Sequence, residues 1–343
     1  MRSSILLGGL SLASVLVATS CSDDDQNTGG SPLANAPALD TALARAAFND
    51  DHPYPEPAME SSPELIALGR DLYHDGSLST QGNQSCATCH DLNKFGQDGE
   101  VTSLGSEGER GERNSPTTLN AFRQVKQFWD SRAATVEEQA QGPVVNPIEH
   151  GFESVEAFEV ALKNNTDYID RFAALFPEEG DAAVTIQNFG AAVGAFERTL
   201  VTRSRFDDFI EGDESALTAA EKTGLAVFMA KNCHSCHKGR TLGGGENRKL
   251  GEIIAYEGDG YSNTDKGVGA VTGQAFENYF FKVPMLLNVA ETAPYHHDGS
   301  VPTLEVAVKR MSLHQLGKDL SDAEAASIVT FLKSLTGELQ AGD

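Results

Sequence analysis

Two stretches of this chain, Cys86-Ala87-Thr88-Cys89-His90 and Cys233-His234-Ser235-Cys236-His237, place two thiols three positions apart and follow them at once with an imidazole. Thiols at that spacing can form thioether bonds to one edge of a haem, and the adjoining histidine can bind its iron. Residue frequencies give one such pentapeptide by chance in roughly one chain of this size in a thousand, and two far less often. The pattern predicts two covalently bound haem c groups, attached through Cys86, Cys89, Cys233 and Cys236, with His90 and His237 as iron ligands. Four thiolates could instead hold one zinc ion. A histidine after each pair, in a chain that opens with an export signal, fits haem better.

The sixth position of each iron decides between electron transfer, when it is filled, and ligand chemistry, when it is open. Methionine is a common filler. Setting aside Met1, Met59 and Met229, the last on the segment leading into Cys233, leaves Met285 and Met311 for the second haem. Spacing does not choose between them, although Met285 beside Leu286 and Leu287 reads as core packing.

Stepping outward from these motifs, residues 1–20 read as an export signal, with Arg2, an apolar run from Ile5 to Ala18 too short to span a bilayer, and small residues before Cys21. Ala18-Thr19-Ser20-Cys21 resembles a lipobox, which would anchor a periplasmic protein through a lipid on Cys21; cleavage after Ala36 would discard that cysteine. Against 26 Lys and Arg stand 50 Asp and Glu, a net charge of -24, which argues against nucleic acid and suits a cationic protein partner.

Residues 21–59, rich in Asp, Asn, Gly, Ala and Pro, read as a tether. Ser62-Pro63-Glu64 opens a helix through Leu65, Leu68 and Leu72 toward the first motif, and Thr218 to Met229 forms the parallel lead-in to the second. A helix followed by C-x-x-C-H thus occurs twice, 147 residues apart, a domain-sized interval. Helical patterns recur over 155–163, 182–201 and 322–335, strand alternation is scarce, and two long polar loops run over 96–115 and 239–269.

Further stretches carry a resemblance. Asn114-Ser115-Pro116-Thr117, Phe128-Trp129-Asp130, Arg132-Ala133-Ala134, Glu138-Gln139-Ala140 and Gly142-Pro143, then Thr292-Ala293-Pro294-Tyr295, His297-Asp298-Gly299 and Thr303-Leu304-Glu305, make the chain similar to the bacterial di-haem cytochrome c peroxidases over nearly all of its mature length. The resemblance implies an all-α fold of two cytochrome-c-like haem domains, here 60–205 for peroxide chemistry and 206–336 for electron transfer. It implies reduction of hydrogen peroxide with electrons from a small donor protein, a cytochrome c or a cupredoxin, and it allows a homodimer. The family's methionine ligand lies 14 residues beyond the histidine of the H-D-G segment, which selects Met311. It further implies that Trp129 lies between the haems, that Glu149 handles protons with Gln139 and Pro143 lining its pocket, and that Asn114, Thr292 and Pro294 bind calcium. Without the family, a lone tryptophan reads as core packing and 292–295 as a turn.

One departure bears on activation. Family members that need prior reduction carry a blocking histidine 16 residues after His90, where this chain has Ser106, a poor iron ligand. The first haem is therefore expected to be open in the oxidised protein. His150, next to Glu149, is the residue that could fill it, with His74 a weaker alternative, while His234, His296 and His314 have no role demanded by spacing. Two rival readings are a di-haem oxidase similar to the maturases that oxidise tryptophans during methylamine dehydrogenase assembly, where tyrosine stands in the place of Met311, and an electron-transfer cytochrome with both irons filled.

Overall fold

Capping side chains start the helices of this protein. In the computed structural model, which describes residues 36–49, 61–256 and 264–340, nine helices have seven residues or more. They are α1 (Thr41–Phe48), α2 (Pro63–His74), α3 (Val155–Leu162), α4 (Thr166–Leu175), α5 (Ile186–Glu197), α6 (Arg205–Glu211), α7 (Ala219–Ala230), α8 (Leu304–Leu316) and α9 (Asp322–Lys333). Ser62 accepts a hydrogen bond from the Leu65 amide at 3.2 Å, and Thr218 with Glu221 and Ser321 with Glu324 form reciprocal capping boxes. The fold is mainly helical, as expected. Its strands are four three-residue pieces in two antiparallel pairs: β1 (Thr202–Ser204) with β4 (Gly337–Leu339), and β2 (Asn247–Lys249) with β3 (Phe280–Lys282). No helix among the described residues is long and apolar enough to cross a membrane.

The repeated unit of the sequence is a repeated packing unit. Helix α2, which leads into Cys86, crosses α5 at Gly69, where a Cβ would overlap the carbonyl oxygen of Ala192. Helix α7, which leads into Cys233, crosses α9 at Gly224, where a Cβ would overlap the carbonyl oxygen of Ser327. Glycine at each crossing lets two backbones touch, and each crossing forms one side of a hydrophobic core. The first core holds Leu68, Leu72, Phe158, Phe172, Phe189 and Val193. The second holds Phe48, Phe206, Phe209, Phe228 and Phe331, with Phe331 edge-on to Phe206 and Phe228 at 5.5 and 5.4 Å. Each buried Phe contributes about 1.5–3 kcal/mol relative to an exposed one. The described residues fall in one compact unit that contains both cores.

Two expectations are corrected here. The proposed tether 21–59 contains α1, capped by Asp40 accepting from the Leu43 amide at 2.9 Å, and Ala44 and Phe48, four apart, are buried in the second core. The low apolar content of the segment concealed two well-spaced contacts. The second half also extends past 206–336 at both ends, because β1 pairs with β4 and the amide of Gln340 donates to the Val201 carbonyl at 2.8 Å. Residues 1–35, with the export signal and Cys21, lie outside the described residues, as does Met59.

Replacing Gly224 by Ala is expected to lower stability by about 1–3 kcal/mol, since the added methyl must part α7 from α9. Urea denaturation followed by circular dichroism measures this; an unchanged midpoint would show that the crossing tolerates separation.

Candidate active site

Each C-x-x-C-H motif closes as a tight turn in which the histidine amide donates to the carbonyl of the first cysteine, at 2.9 Å for His90 and Cys86 and 3.1 Å for His237 and Cys233. The imidazoles are then aimed from behind. His90 Nδ1 donates to the Gly96 carbonyl at 3.2 Å, with Ser115 Oγ also at 3.2 Å, and His237 Nδ1 donates to the Leu242 carbonyl at 3.0 Å. Because a carbonyl can only accept, the proton sits on Nδ1 and the Nε2 lone pair is left for a metal. Burial holds both imidazoles below their usual pKa, which keeps them neutral as a ligand must be.

The two motifs open into two cavities. Cys86, Cys89 and His90 line one of about 440 Å³, and Cys233, Cys236 and His237 line another of about 250 Å³. The four thiols therefore do not converge, and the described residues contain no cluster of three or more His, Cys, Asp or Glu side chains able to hold a metal ion. This removes the single four-thiolate zinc site. Burial raises the thiols of Cys86, Cys89 and Cys233, as suits groups destined for neutral thioethers. Two thiols beside an oriented imidazole in a pocket of each kind is the donor set of haem c.

The cavities differ in character. Gln139, Pro143, Glu149 and His150 line the first. Glu149 accepts from Asn146 Nδ2 at 2.8 Å, and burial raises its carboxyl pKa against the pull of Arg132. His150 is 6% exposed and its Nδ1 donates to the Leu78 carbonyl at 2.6 Å, so its ring is fixed at the wall with a lone pair on Nε2. His74 is exposed on α2, bonded to the Arg70 carbonyl, and does not face the cavity. The second cavity is lined by apolar side chains such as Phe228, Phe281 and Val308, and both Met285 and Met311 reach it. Met285 follows Pro284, whose carbonyl faces the His237 ring, whereas Met311 enters from α8. Asn114, Thr292 and Pro294 all line it, and Asn114 Nδ2 donates to the Glu100 carbonyl at 2.9 Å.

Trp129 lines both cavities. Its Nε1 donates to the Asn114 carbonyl at 2.9 Å, its carbonyl accepts from the Lys282 amide at 2.8 Å, and its ring meets His297 edge-on at 6.4 Å. It projects from a loop closed by Gln127 and Ala133, in which Phe128 and Ser131 both take left-handed backbone angles, φ 64° and 59°. Such angles are costly for residues other than glycine and persist where the surroundings enforce them. Here Asp130 is gripped by Arg113 at 2.6 Å and Arg132 at 3.0 Å, and the Arg132 guanidinium lies 3.3 Å over the Phe128 ring.

Comparison with known proteins agrees with this geometry. Residues 63–215 match the family described as di-haem cytochrome c peroxidase. Cytochrome c551 peroxidase of Pseudomonas aeruginosa is 40% identical over 90% of this chain and 89% of its own length. Cytochrome c peroxidase Ccp of Escherichia coli is 41% identical over 81% of this chain, which spans only 59% of that protein. The chain belongs to the bacterial di-haem cytochrome c peroxidase family. It is thus a peroxidase-type oxidoreductase by family, and haem c is the cofactor its motifs imply. A solved structure described as a MauG-like protein associated with microbial copper homeostasis superposes with TM-score 0.71 and 29% identity, covering 85% of this chain and 96% of that one.

In this peroxidase-family chain Ser106 is 4% exposed and does not face the first cavity. Its hydroxyl donates to Asn83 Oδ1 at 3.2 Å, its amide donates to the Glu149 carbonyl at 2.9 Å, and neighbouring Gly105 lies against the Ile148 carbonyl with no room for a Cβ. The loop carrying Ser106 is fastened to the Glu149 segment. Three charged groups at the cavities are not singled out by the sequence: Glu197 and Lys282, both buried, and the half-buried Arg113. A charge in an otherwise apolar helix or strand, as at Glu197 and at Lys282 between Phe281 and Val283, is the signal that could have found the first two.

Burial raises the Glu197 carboxyl to about 8, with Glu137 adding to the shift. An acid whose folded-state pKa exceeds its unfolded value binds more protons in the native state, so its contribution to stability falls as pH rises from about 4.5 to about 8. Glu197→Gln is expected to be more stable than the parent by up to a few kcal/mol at pH 8, with the difference vanishing near pH 4. Urea midpoints across that range check the sign.

Proposed function

We propose that this protein reduces hydrogen peroxide to water at the first cavity, with electrons that enter through the second and pass Trp129. The observation that carries the reading is Glu149, a half-buried carboxyl on the wall of the cavity that His90 lines, while Ser106 is bonded away from it. Bound haem would supply an iron that accepts peroxide as a ligand and exchanges electrons with it. The chain's part is to hold that iron through His90, keep the opposite side clear and move protons. Reduction of one peroxide consumes two electrons and two protons and yields two water molecules. One positioned carboxylate can take the proton from the attacking oxygen and return it to the departing one, with Gln139 orienting the molecule.

The half of the chain built on the first core, with Cys86 and His90, acts as the peroxidatic haem domain, and the half built on the second core, with Cys233, His237 and the added α1 and β1, as the electron-transfer haem domain. In this reading Met311 would hold the second haem iron together with His237, since Met285 adjoins the Pro284 carbonyl that bonds the His237 ring, and a thioether in an apolar cavity would favour the reduced iron. A calcium ion held by the Asn114 side-chain oxygen and by oxygens of Thr292 and Pro294 would suit the loose coordination of that cation. The donor is a small periplasmic cytochrome c or cupredoxin with a basic face, given the net charge of -24. Export by residues 1–20, retention through a lipid on Cys21 and pairing as a homodimer complete the proposal. Against the maturase-like reading stands Met311, whose ligation would give a near-infrared band that a tyrosine-ligated haem lacks.

The deciding experiment is the electron paramagnetic resonance spectrum of the fully oxidised protein before and after peroxide. A high-spin signal consumed by peroxide is expected; two low-spin haems unmoved by peroxide would favour His150 as a sixth ligand and an electron carrier. Glu149→Gln is expected to lower turnover by about 10²–10⁴-fold while leaving the visible haem spectrum unchanged. Because burial raises this carboxyl and the base form is the active one, kcat/KM of the parent should fall as pH drops through the raised pKa, and the variant should lose that limb.

A further inference from the structure

The wall common to both cavities contains a cation without an anion. Lys282, in β3, lines the first cavity and the second and is 6% exposed. Its Nζ donates to the Lys126 carbonyl at 2.9 Å, and it forms no ion pair among the described residues. No carboxylate lines both cavities among the described residues, and Asp130, whose charge acts on Lys282 from the first cavity alone, is already engaged. Asp130 is held by Arg113 and Arg132, and Asp265 receives two hydrogen bonds from Arg113, at 2.7 and 2.8 Å. Among the described residues Lys282 is thus the one charged side chain that lines both cavities, and no carboxylate lies within ion-pair distance of it. Buried charges are ordinarily paired, because an isolated one loses its hydration with nothing in return.

The missing anion has a natural source. A haem fastened by thioethers along one edge presents two carboxylates on the opposite edge. Cys86 and Cys89 line only the first cavity, and Cys233 and Cys236 only the second, so the shared wall is one that neither pair of thiols occupies. We propose that Lys282 is the counter-cation for a haem carboxylate at this wall and thereby raises the reduction potential of the haem it faces. The inference rests on the haem reading above. Reduction adds one negative charge to a haem, and a fixed cation in a low-dielectric wall stabilises that added charge. Burial drives the Lys282 ammonium down to about 7 against the pull of Asp130, so a further anion beside it would help to hold its charge.

The test is a spectroscopic redox titration of the holoprotein and of Lys282→Met, Lys282→Gln and Lys282→Arg, each first checked by pyridine haemochrome for two haems per chain. With both haems attached, the uncharged variants should show at least one midpoint potential moved in the negative direction, and the arginine variant should stay near the parent. Gln retains a donor for the Lys126 carbonyl, so it separates loss of charge from loss of that hydrogen bond if the Met variant does not fold. Unmoved midpoints in an uncharged variant that carries both haems, or an arginine variant shifted as far as the uncharged ones, overturn the proposal. A parent protein without haem would instead overturn the haem reading itself.

Discussion

The indole of Trp129 is held at two points, by the Asn114 carbonyl on its ring nitrogen and by the Lys282 amide on its own carbonyl, and everything else about the two cavities is arranged around that clamp. Asn114 is itself a junction. Its amide donates to the His297 carbonyl at 2.8 Å, and the next residue, Ser115, reaches the Cys89 carbonyl at 3.1 Å and His90 Nδ1. One short segment thus sets the ring behind the first iron site, the indole in the dividing wall and the H-D-G segment of the second half. Two left-handed residues beside Trp129 show that the local backbone would not adopt this shape unaided, and the Asp130 ion pairs offset that cost.

Two similar packing units have acquired different interiors. Both use a glycine crossing, a cysteine turn and a histidine aimed by a backbone carbonyl. Around the first, Asn146 and Glu149 supply polar groups, and the Ser106 loop is tied back onto the Glu149 backbone. Around the second, aromatic and aliphatic side chains close the space and a methionine-bearing helix, α8, crosses it. In the proposed reading, the more polar lining of the first suits ligand exchange and the apolar lining of the second suits simple electron uptake.

Much of this was legible in the sequence because covalent haem attachment demands residues at fixed local spacing. The two motifs, the helices leading into them and the patterns over 155–163, 182–201 and 322–335 all rest on contacts within a few turns, and they reappear as α2, α7, α3, α5 and α9. Helix α8 carries Met311, yet no periodicity singled it out: its apolar positions are interrupted by Lys309, Arg310 and His314 because one face borders a cavity instead of a core. Helices α4 and α6 likewise carry no pattern that marks them, and α1 reads as tether because two buried side chains, Ala44 and Phe48, are too weak a pattern. Glu197, Lys282 and Arg113 acquire meaning only once distant segments meet, since burial of the first two and the bridge of the third between Asp130 and Asp265 are properties of the assembled fold. The family resemblance supplied Glu149, Gln139 and Trp129 where spacing alone was silent.

The two cores differ in how the chain supplies them. Every residue of the first core comes from one continuous stretch, Leu68 to Leu200, whereas the second draws on α1 near the start of the described chain and on α9 near its end, with β4 closing against β1. A chain delivered from its N-terminus can finish the first core while the second still lacks its last helix. Assembly thereby acquires a direction: the first core can close as a unit, while the second cannot close until the C-terminal residues return to α1 and β1.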